Sequence, residues 1–331
     1  MNQSKKELML SVIMITYGHE KFIEQAINGV LMQECDFEVE LIIANDCSPD
    51  TTDDVIQNIL KNHPKASRIK YMKHDRNLGI MPNFLFALDQ CKGKFVAMCE
   101  GDDYWITKDK LQKQIAILES NTNIGLVYTG VTHFNQKSGQ FIEIASRYKT
   151  NREEAIPSML KSKYIEFATT VFRKTVLDKV MGIIIIELEN AVIGDTRILL
   201  ETIYNSEVYF LNQVTTVYRI VEGSASHPKE IGKFIFALND SYLCRKTFVE
   251  RNNLNPKWLS DTICNTNRGL INNAFVAKKY SHTIKFLKNI VVLDTIKFCN
   301  WSVFKRKMTA DIWIKLILAI VGIGFLRQKL R

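Results

Sequence analysis

Residues 95–105 read Phe95-Val96-Ala97-Met98-Cys99-Glu100-Gly101-Asp102-Asp103-Tyr104-Trp105, an apolar segment that runs directly into three acidic side chains. The apolar part lies between Gly93 and Gly101, as expected for a strand that is buried on both faces. The acids therefore follow the carboxyl end of a strand, the edge of an open α/β sheet at which ligands bind. Carboxylate oxygens clustered at that edge suit a hard divalent cation, Mg2+ or Mn2+.

The same residues also fit an ordinary turn from a strand into a helix. Lys108 to Ser120 has the apolar spacing of an amphipathic helix, which Asp103 or Thr107 would then cap. The local sequence favours neither interpretation over the other.

The composition is that of a folded protein with an anionic partner. With 331 residues, of which 46% are hydrophobic and 10% aromatic, the chain can bury a large core, and we expect one main domain with an appendage. The formal charge of +9 suits a nucleotide diphosphate, a phospholipid surface or nucleic acid. No nucleic-acid recognition motif accompanies the charge, so we expect no nucleic-acid partner.

The cysteines and the first residues indicate a cytoplasmic protein. The seven cysteines show neither a CxxC pair nor a zinc-ligand spacing, and several lie in apolar runs, which favours reduced core thiols. Met1 to Leu8 lead into a strand-like segment with neither the apolar core nor the cleavage site of a signal peptide.

Strands and helices alternate over the first hundred residues. The predicted strands are Leu8–Thr16, Phe37–Ala44 and Arg68–Lys73, and the predicted helices are Glu20–Met32, Asp53–Asn62 and Pro82–Cys91. This order predicts an α/β fold in which helices cover both faces of a mostly parallel, Rossmann-like sheet. The loop Thr16–Glu20 lacks the glycine spacing of a dinucleotide fingerprint, which argues against a Rossmann dehydrogenase.

Four segments carry a family resemblance. VIMITYGHEKFIEQAI, VELIIANDCSPDTTDD, HDRNLGIMPNFLFAL and GKFVAMCEGDDYWITKDKLQKQI follow one another over about the first third of the chain. In this order they closely resemble family 2 glycosyltransferases, whose nucleotide-sugar domain has the GT-A fold. The resemblance implies a GT-A domain at 1–226, with a nucleotide-sugar half at 1–111 and an acceptor half at 112–226. It also implies a nucleotide-diphosphate sugar donor and a divalent metal, Mn2+ or Mg2+.

By this resemblance, four residues would bind the nucleotide. Thr16 and Tyr17 would contact it, Asp46 would meet the nucleobase, and Arg76 would lie near the base or the phosphates. Ser48, Asp50 and Thr51, which follow Asp46, are explained by helix capping alone. The sequence departs from the family at Asn45, where many members have an aspartate.

Two further acids complete the implied donor site. Asp102 would contact the ribose side, and Asp103 would bind the metal that bridges the donor diphosphate. Glu100 stands where many family members begin the acidic motif with aspartate.

The expected acceptor half contains strands and one polar connection. Ile124–Phe134 and Phe141–Ile144 read as a hairpin, and Tyr164–Phe172 reads as a further strand. The polar residues 147–158 are predicted to form a loop, either mobile over the site or an ordinary surface connection.

Asp195 follows Gly194 and is predicted to open a helix, where a capping role would also explain it. In the resemblance it falls at the position of the catalytic base, which implies an inverting reaction. Downstream, Tyr218, Arg219 and Ser224 would reach the donor phosphates, although Arg219 is equally suited to a structural ion pair. The chain lacks the Gln-x-x-Arg-Trp sequence of processive synthases, which favours transfer of a single sugar.

From residue 227 the pattern becomes helical, with predicted helices at Ile231–Arg251, Trp258–Lys279 and 308–331. The apolar run Leu316–Leu326 would span roughly 16 Å, against about 30 Å of bilayer hydrocarbon, and basic residues flank it. We therefore expect 308–331 to lie on an anionic membrane surface, peripheral on the cytoplasmic face, unless it packs on the protein. A glycan or lipid-linked glycan acceptor would be met there.

A binding module that kept the fold without catalysis is the competing hypothesis. The presence of both Asp103 and Asp195 argues against it.

Overall fold

A computed structural model of the chain describes residues 8–143, 152–162, 165–189, 191–224 and 230–259. Nine strands lie in these ranges: β1 Leu8–Thr16, β2 Glu38–Asn45, β3 Ile69–Lys73, β4 Phe95–Met98, β5 Tyr104–Trp105, β6 Ile124–Asn135, β7 Gln140–Glu143, β8 Val171–Arg173 and β9 Glu207–Ile220. They are accompanied by eight α-helices: α1 Ile23–Leu31, α2 Thr52–Asn62, α3 Ile80–Asp89, α4 Lys110–Ser120, α5 Arg152–Lys161, α6 Lys174–Leu188, α7 Asp195–Asn205 and α8 Ile231–Arg251.

The strands form one sheet in the order β3-β2-β1-β4-β8-β6-β9-β5, and β7 pairs with β6. The first four strands of this order are parallel to one another, and β8 is antiparallel to both β4 and β6. Because β9 is parallel to β6, six of the nine strands (β1, β2, β3, β4, β6 and β9) run in one direction. The predicted α/β class with a mostly parallel sheet is confirmed.

The core lies along the central strands. All four residues of β4 are buried between β1 and β8, which explains why this strand reads as a continuous apolar run. In α1, Ile23, Ile27 and Val30 lie three or four positions apart and pack into the same core cluster. Since β1 to β4 are parallel, the loops that follow them meet at one edge of the sheet, which we call the carboxyl edge.

The predicted strand over Tyr164–Phe172 is wrong for most of its length. The structure has a 3-10 helix at Phe167–Thr169, and β8 begins only at Val171. The Thr169 hydroxyl donates to the Glu166 carbonyl at 2.6 Å, and the Thr170 hydroxyl donates to the Phe167 carbonyl at 2.6 Å. These local side-chain bonds compete with the ladder bonds of a strand.

Two helices differ from the sequence interpretation. The loop predicted at 147–158 is wrong from Arg152 on, where α5 begins and buries Ala155, Ile156, Met159 and Leu160 at helical spacing. The sequence analysis assigned no element to the residues of α6. Its residues Leu177, Val180, Met181, Ile184 and Leu188 are buried at spacings of three or four, which is the period of a helix.

The chain divides into two compact units. The first comprises Met1–Ile156 and Tyr164–Val221, and the second comprises Pro157–Lys163 and Glu222–Arg331. Within the second unit, α8 has the predicted bounds, and Arg245 Nε donates to the Met159 carbonyl at 3.3 Å.

The predicted helix Trp258–Lys279 begins in a 3-10 turn at Pro256–Leu259 and otherwise lies outside the described residues, as does the segment 308–331. Among the helices of the described ranges, none is long and apolar enough to cross a membrane. No disulfide joins any two of the five cysteines in these ranges.

Candidate active site

Asp103 is the most deeply buried of the acids that follow β4. It is 1% exposed, and its Oδ1 accepts the backbone N–H of Arg219 at 2.9 Å. Burial raises the pKa of this carboxyl well above its usual range, and the negative charges of Asp102 and Glu100 add to the shift. The charged form of Asp103 is therefore unfavourable unless a cation offsets it.

The capping alternative for these acids is wrong. The N-cap of α4 is Asp109, and the Asp103 carboxylate bonds to β9 rather than to α4.

The residues around Asp103 fit a divalent cation that takes its remaining ligands from outside the protein. In the ranges that the structure describes, no three His, Cys, Asp or Glu side chains are grouped to hold a metal by themselves. Mg2+ commonly takes one or two carboxylates and completes its coordination with phosphate oxygens and water. Asp103, with Asp102 and Glu100 contributing negative charge, supplies oxygen donors of this kind, which Mn2+ also accepts.

Arg219 is built into the wall beside this acid. It is 5% exposed, and its Nη1 donates to the Asp102 carbonyl at 2.5 Å while its Nη2 donates to Gln25 Oε1. The guanidinium carbon lies 4.3 Å from the Tyr104 ring centroid and 5.1 Å from that of Phe22. Burial lowers the pKa of the guanidinium, but arginine stays protonated in proteins. Arg219 thus brings a fixed positive charge to the acidic turn.

The end of β1 meets the acidic turn through His19. The Thr16 hydroxyl lies 3.1 Å from His19 Nδ1, and His19 Nε2 lies 4.0 Å from Asp102 Oδ2. A Cβ on Gly101 would stand 2.7 Å from both His19 Nδ1 and the Thr16 hydroxyl oxygen. Only glycine allows this close approach of the two loops. His19 thus connects the predicted sites Thr16 and Asp102.

Asp46 holds the loop that follows β3. It is 3% exposed, and its two carboxylate oxygens accept the backbone N–H groups of Leu78 at 2.6 Å and Gly79 at 2.9 Å. Gly79 is the N-cap of α3, so this carboxylate fixes where α3 begins. The contact of Asp46 with a nucleobase stays a prediction.

The hydrogen bonds of Asn45 explain why an amide suits this position, where many family members have an aspartate. Its Nδ2 donates to the Tyr71 hydroxyl at 2.9 Å, and its Oδ1 accepts the Ser48 N–H at 2.9 Å. The Tyr71 hydroxyl donates in turn to Asp53 at 2.7 Å. A neutral amide can donate and accept at once, whereas an ionised aspartate only accepts.

Two predicted nucleotide contacts lie on exposed loops of the carboxyl edge. Tyr17, which follows β1, is 47% exposed, and Arg76, which follows β3, is also exposed. Tyr218 packs its ring 5.0 Å from that of His133, and Ser224 is the last described residue before 225–229.

Asp195 is the first residue of α7, and its neighbour Gly194 touches α3. A Cβ on Gly194 would overlap the sulfur of Met81, which lies in the first turn of α3. The N-termini of α3 and α7 are therefore in contact, and Asp195 belongs to the carboxyl edge. It is half-buried, and its Oδ1 accepts the Thr196 N–H at 2.5 Å.

The predicted site residues thus fall into two connected sets. Direct contacts join Thr16, Asp102, Asp103 and Arg219, with His19 and Gln25 as members that the sequence analysis missed. Asp46 and Asp195 are connected through the start of α3. Nothing in the local sequence singles out Gln25, because its role depends on a partner in β9.

Comparison with known proteins assigns the chain to a family. The model of "Glycosyl transferase family 2" matches residues 11–181, which is more than half of the chain. A curated relative, the GalNAc(5)-diNAcBac-PP-undecaprenol beta-1,3-glucosyltransferase of Campylobacter jejuni, is 26% identical over 215 residues, 64% of each chain. The chain spans about half the length, 47%, of the first curated relatives that it matches.

Two solved structures share the fold. Staphylococcus aureus TarS 1-349 in complex with UDP is 18% identical, with a TM-score of 0.53 over 77% of this chain and 70% of that chain. The mannosyltransferase PcManGT of Pyrobaculum calidifontis, in complex with GDP-Man and Mn2+, is 14% identical, with a TM-score of 0.51 over 95% and 86%. With the α/β sheet, the acidic turn after β4 and the match over residues 11–181, this chain belongs to glycosyl transferase family 2.

Proposed function

We propose that this protein is an inverting, non-processive glycosyltransferase. It moves one sugar from a nucleotide-diphosphate sugar to a hydroxyl of a glycan or lipid-linked glycan, in the assembly of a cell-surface polysaccharide. The observation that carries the proposal is the buried Asp103 carboxylate, which faces Arg219 and neighbouring acids at the carboxyl edge of a family 2 sheet.

The donor end of the site would bind the nucleotide diphosphate. Thr16, Tyr17, Asp46 and Arg76 would hold the nucleotide, with Asp102 on the ribose side. Asp103 would hold Mn2+ or Mg2+, and such a cation, when bound, stabilises the charge on the departing diphosphate. Arg219 adds a fixed positive charge beside the same turn.

The acceptor hydroxyl would be activated by Asp195. A general base positioned at the acceptor oxygen takes its proton as the new bond forms, and attack from the side opposite the diphosphate inverts the anomeric configuration. The position of Asp195 at a helix start, held against α3 through Gly194 and Met81, supports a rigidly placed base.

The comparisons support the substrate classes. The Campylobacter jejuni relative is named for an undecaprenol-linked acceptor, and the two solved structures hold UDP, or GDP-Man with Mn2+. A lipid-linked acceptor also accords with the predicted membrane-surface helix at 308–331, which would keep the enzyme on the cytoplasmic face.

A donor-hydrolysis screen tests the proposal. Full-length protein is incubated with UDP-glucose, UDP-GlcNAc or GDP-mannose, with Mn2+ or with EDTA, and the release of nucleotide diphosphate is measured. We expect metal-dependent hydrolysis of one donor. Binding of a nucleotide sugar without turnover, even when glycan acceptors are added, would instead favour the non-catalytic binding module.

A further inference from the structure

A row of side chains extends from Asp103 across the sheet. Tyr104 of β5 pairs with Val217 of β9, which brings Asp103, the residue before β5, next to Arg219, whose N–H donates to the Asp103 carboxylate at 2.9 Å. Tyr218 pairs in turn with His133 of β6. Paired residues of adjacent strands point to the same face of a sheet. Tyr218, the neighbour of Arg219, and His133 therefore share one face, and their rings lie 5.0 Å apart.

Glu166 lies at the end of this row. Its Oε1 is 3.5 Å from His133 Nε2, and the two side chains are 19% and 18% exposed. The pKa of the Asp103 carboxyl is raised by burial first, then by Asp102 and Glu100, and also by the charge of Glu166. The segment that carries Glu166 lies beside the end of β4, where the Thr170 carbonyl accepts the N–H of Met98 at 3.3 Å.

The backbone that carries Glu166 is anchored. The Glu166 carbonyl accepts the N–H and the hydroxyl of Thr169, at 3.0 Å and 2.6 Å. The Ala168 carbonyl accepts the indole N–H of Trp105 at 2.8 Å, and the Thr169 carbonyl accepts Lys110 Nζ at 3.2 Å. The backbone that follows Glu166 Cα is therefore held against β5 and α4 before any ligand binds.

His133 lies beside the Glu166 carboxylate. Its Nε2 is buried and has no hydrogen-bond partner in the described part of the chain, although Glu166 is only 3.5 Å away. Contacts of this length in a site commonly shorten into hydrogen bonds when a ligand binds. A small movement of Glu166 toward His133 would satisfy this nitrogen.

The negative charge of Glu166 does not suit the diphosphate of a donor, because like charges repel. A carboxylate is, however, a strong acceptor for hydroxyl groups, which bring hydrogen-bond donors without adding negative charge. We propose that Glu166, positioned by His133, binds a hydroxyl of the sugar carried by the donor and so selects that sugar. This inference rests on the proposed glycosyltransferase function.

Analogues that lack one hydroxyl test the contact. The donor found by the hydrolysis screen is compared with its singly deoxygenated analogues, using full-length protein without acceptor. For the wild type we expect one analogue to lose about 10- to 150-fold in kcat/KM, the rate equivalent of a hydrogen bond to a charged group. Glu166→Gln should lose a similar factor on the parent donor and little more on that analogue.

Matched variants separate recognition from folding. Glu143→Gln, an exposed carboxylate on β7, is the control and should behave as the wild type. His133→Gln keeps an N–H in reach of Glu166 and should retain most of the selectivity, whereas His133→Leu should lose it. Binding of the nucleoside diphosphate alone should be unchanged in all variants.

Several outcomes would overturn the inference. If the decreases in kcat/KM caused by Glu166→Gln and by the missing hydroxyl multiply independently, the two groups are not in contact. Unchanged kinetics of Glu166→Gln would refute the contact as well. A loss seen only when acceptor is present would assign Glu166 to the acceptor and refute the donor contact. If the wild type neither binds nor hydrolyses any nucleotide sugar, the proposed function fails and this inference fails with it, a result distinct from an active enzyme with an indifferent Glu166.

Discussion

The backbone N–H of Arg219 donates to the Asp103 carboxylate at 2.9 Å, although the two residues lie 116 positions apart. The bond comes from the pairing of β5 with β9, which carries Arg219 past the acidic turn. The strand that closes the first compact unit therefore also completes the wall of the candidate metal site.

The first prediction is that Asp103→Asn abolishes Mn2+-dependent donor binding and turnover. The amide oxygen can still accept the Arg219 N–H, and the buried charge is gone, so the melting temperature should not fall. Calorimetric titration of the donor with and without Mn2+ measures the effect. Asp109→Asn, an exposed acid paired with Lys113, is the control. Wild-type activity that persists in EDTA would refute the metal role of Asp103.

The second prediction concerns Asp195. Asp195→Asn keeps the shape of the side chain and removes the base, so turnover with acceptor should fall by about 100-fold or more while donor affinity changes little. Steady-state kinetics and donor titration separate the two quantities. Asp178→Asn on α6, which is exposed and paired with Lys174, should leave both unchanged. Normal turnover by Asp195→Asn would mean that another residue is the base.

The third prediction tests the contact that positions Asp195. Gly194→Ala places a methyl group where the Met81 sulfur lies, so it should lower both the melting temperature and the turnover. Met81→Ala alone leaves a cavity and should cost about 2–5 kcal/mol. The double variant should be more stable than the sum of the two single effects predicts, because the new methyl group enters that cavity. Strict additivity in denaturant unfolding would show that the two residues do not share this space.

The fourth prediction concerns the buried Lys110, whose amino group lies 4.5 Å from the Trp105 ring centroid and donates to Gln114 at 2.6 Å. Burial lowers the pKa of Lys110 to about 7 from its usual 10.5. Between about pH 7 and pH 10.5 the unfolded chain therefore holds a proton that the folded chain lacks, and the contribution of this group to the free energy of unfolding rises with pH. Below pH 7 Lys110 is protonated in both the folded and the unfolded chain, and its buried charge then lowers the free energy of unfolding by the largest amount.

Lys110→Met should consequently raise the free energy of unfolding most at or below pH 7, and the gain should shrink toward pH 10. The shift corresponds to roughly 4–5 kcal/mol, which the lost hydrogen bonds would offset in part. Urea unfolding at several pH values measures the difference from wild type. Lys113→Met, one turn further along α4 and exposed, should show no such dependence on pH. A gain that is constant with pH would mean that Lys110 is charged throughout.

The fifth prediction follows from the apolar run Leu316–Leu326 and its basic flanks. Full-length protein should co-sediment with anionic vesicles, and raising the salt should weaken the binding without abolishing it, because charge attraction is screened and apolar burial is not. A chain that ends at Lys307 should remain in the supernatant while still hydrolysing donor. Equal sedimentation of the two chains would contradict a membrane role for this segment.

Local patterns in the sequence determined the strands and helices of the first hundred residues and the acids that follow β4. A buried parallel strand needs a continuous apolar run, and a helix needs apolar residues three or four apart, so both are visible without a partner. The start of α7 was also visible, because Asp195 follows a glycine and is a residue type that commonly opens helices. The segment at 167–170 misled the prediction because threonine hydroxyls bonded to the local backbone instead of leaving it to a strand.

Only the tertiary structure decided which distant residues meet. The sheet order and the strand registers bring Arg219 to Asp103, and they place His133 in the same row. Asp46 could be recognised as a polar residue at a strand end, but its bonds to Leu78 and Gly79 require the loop after β3 to fold back over β2. Such contacts depend on which strands and loops lie next to one another in three dimensions. The periodicity within a single segment of the chain does not encode that arrangement.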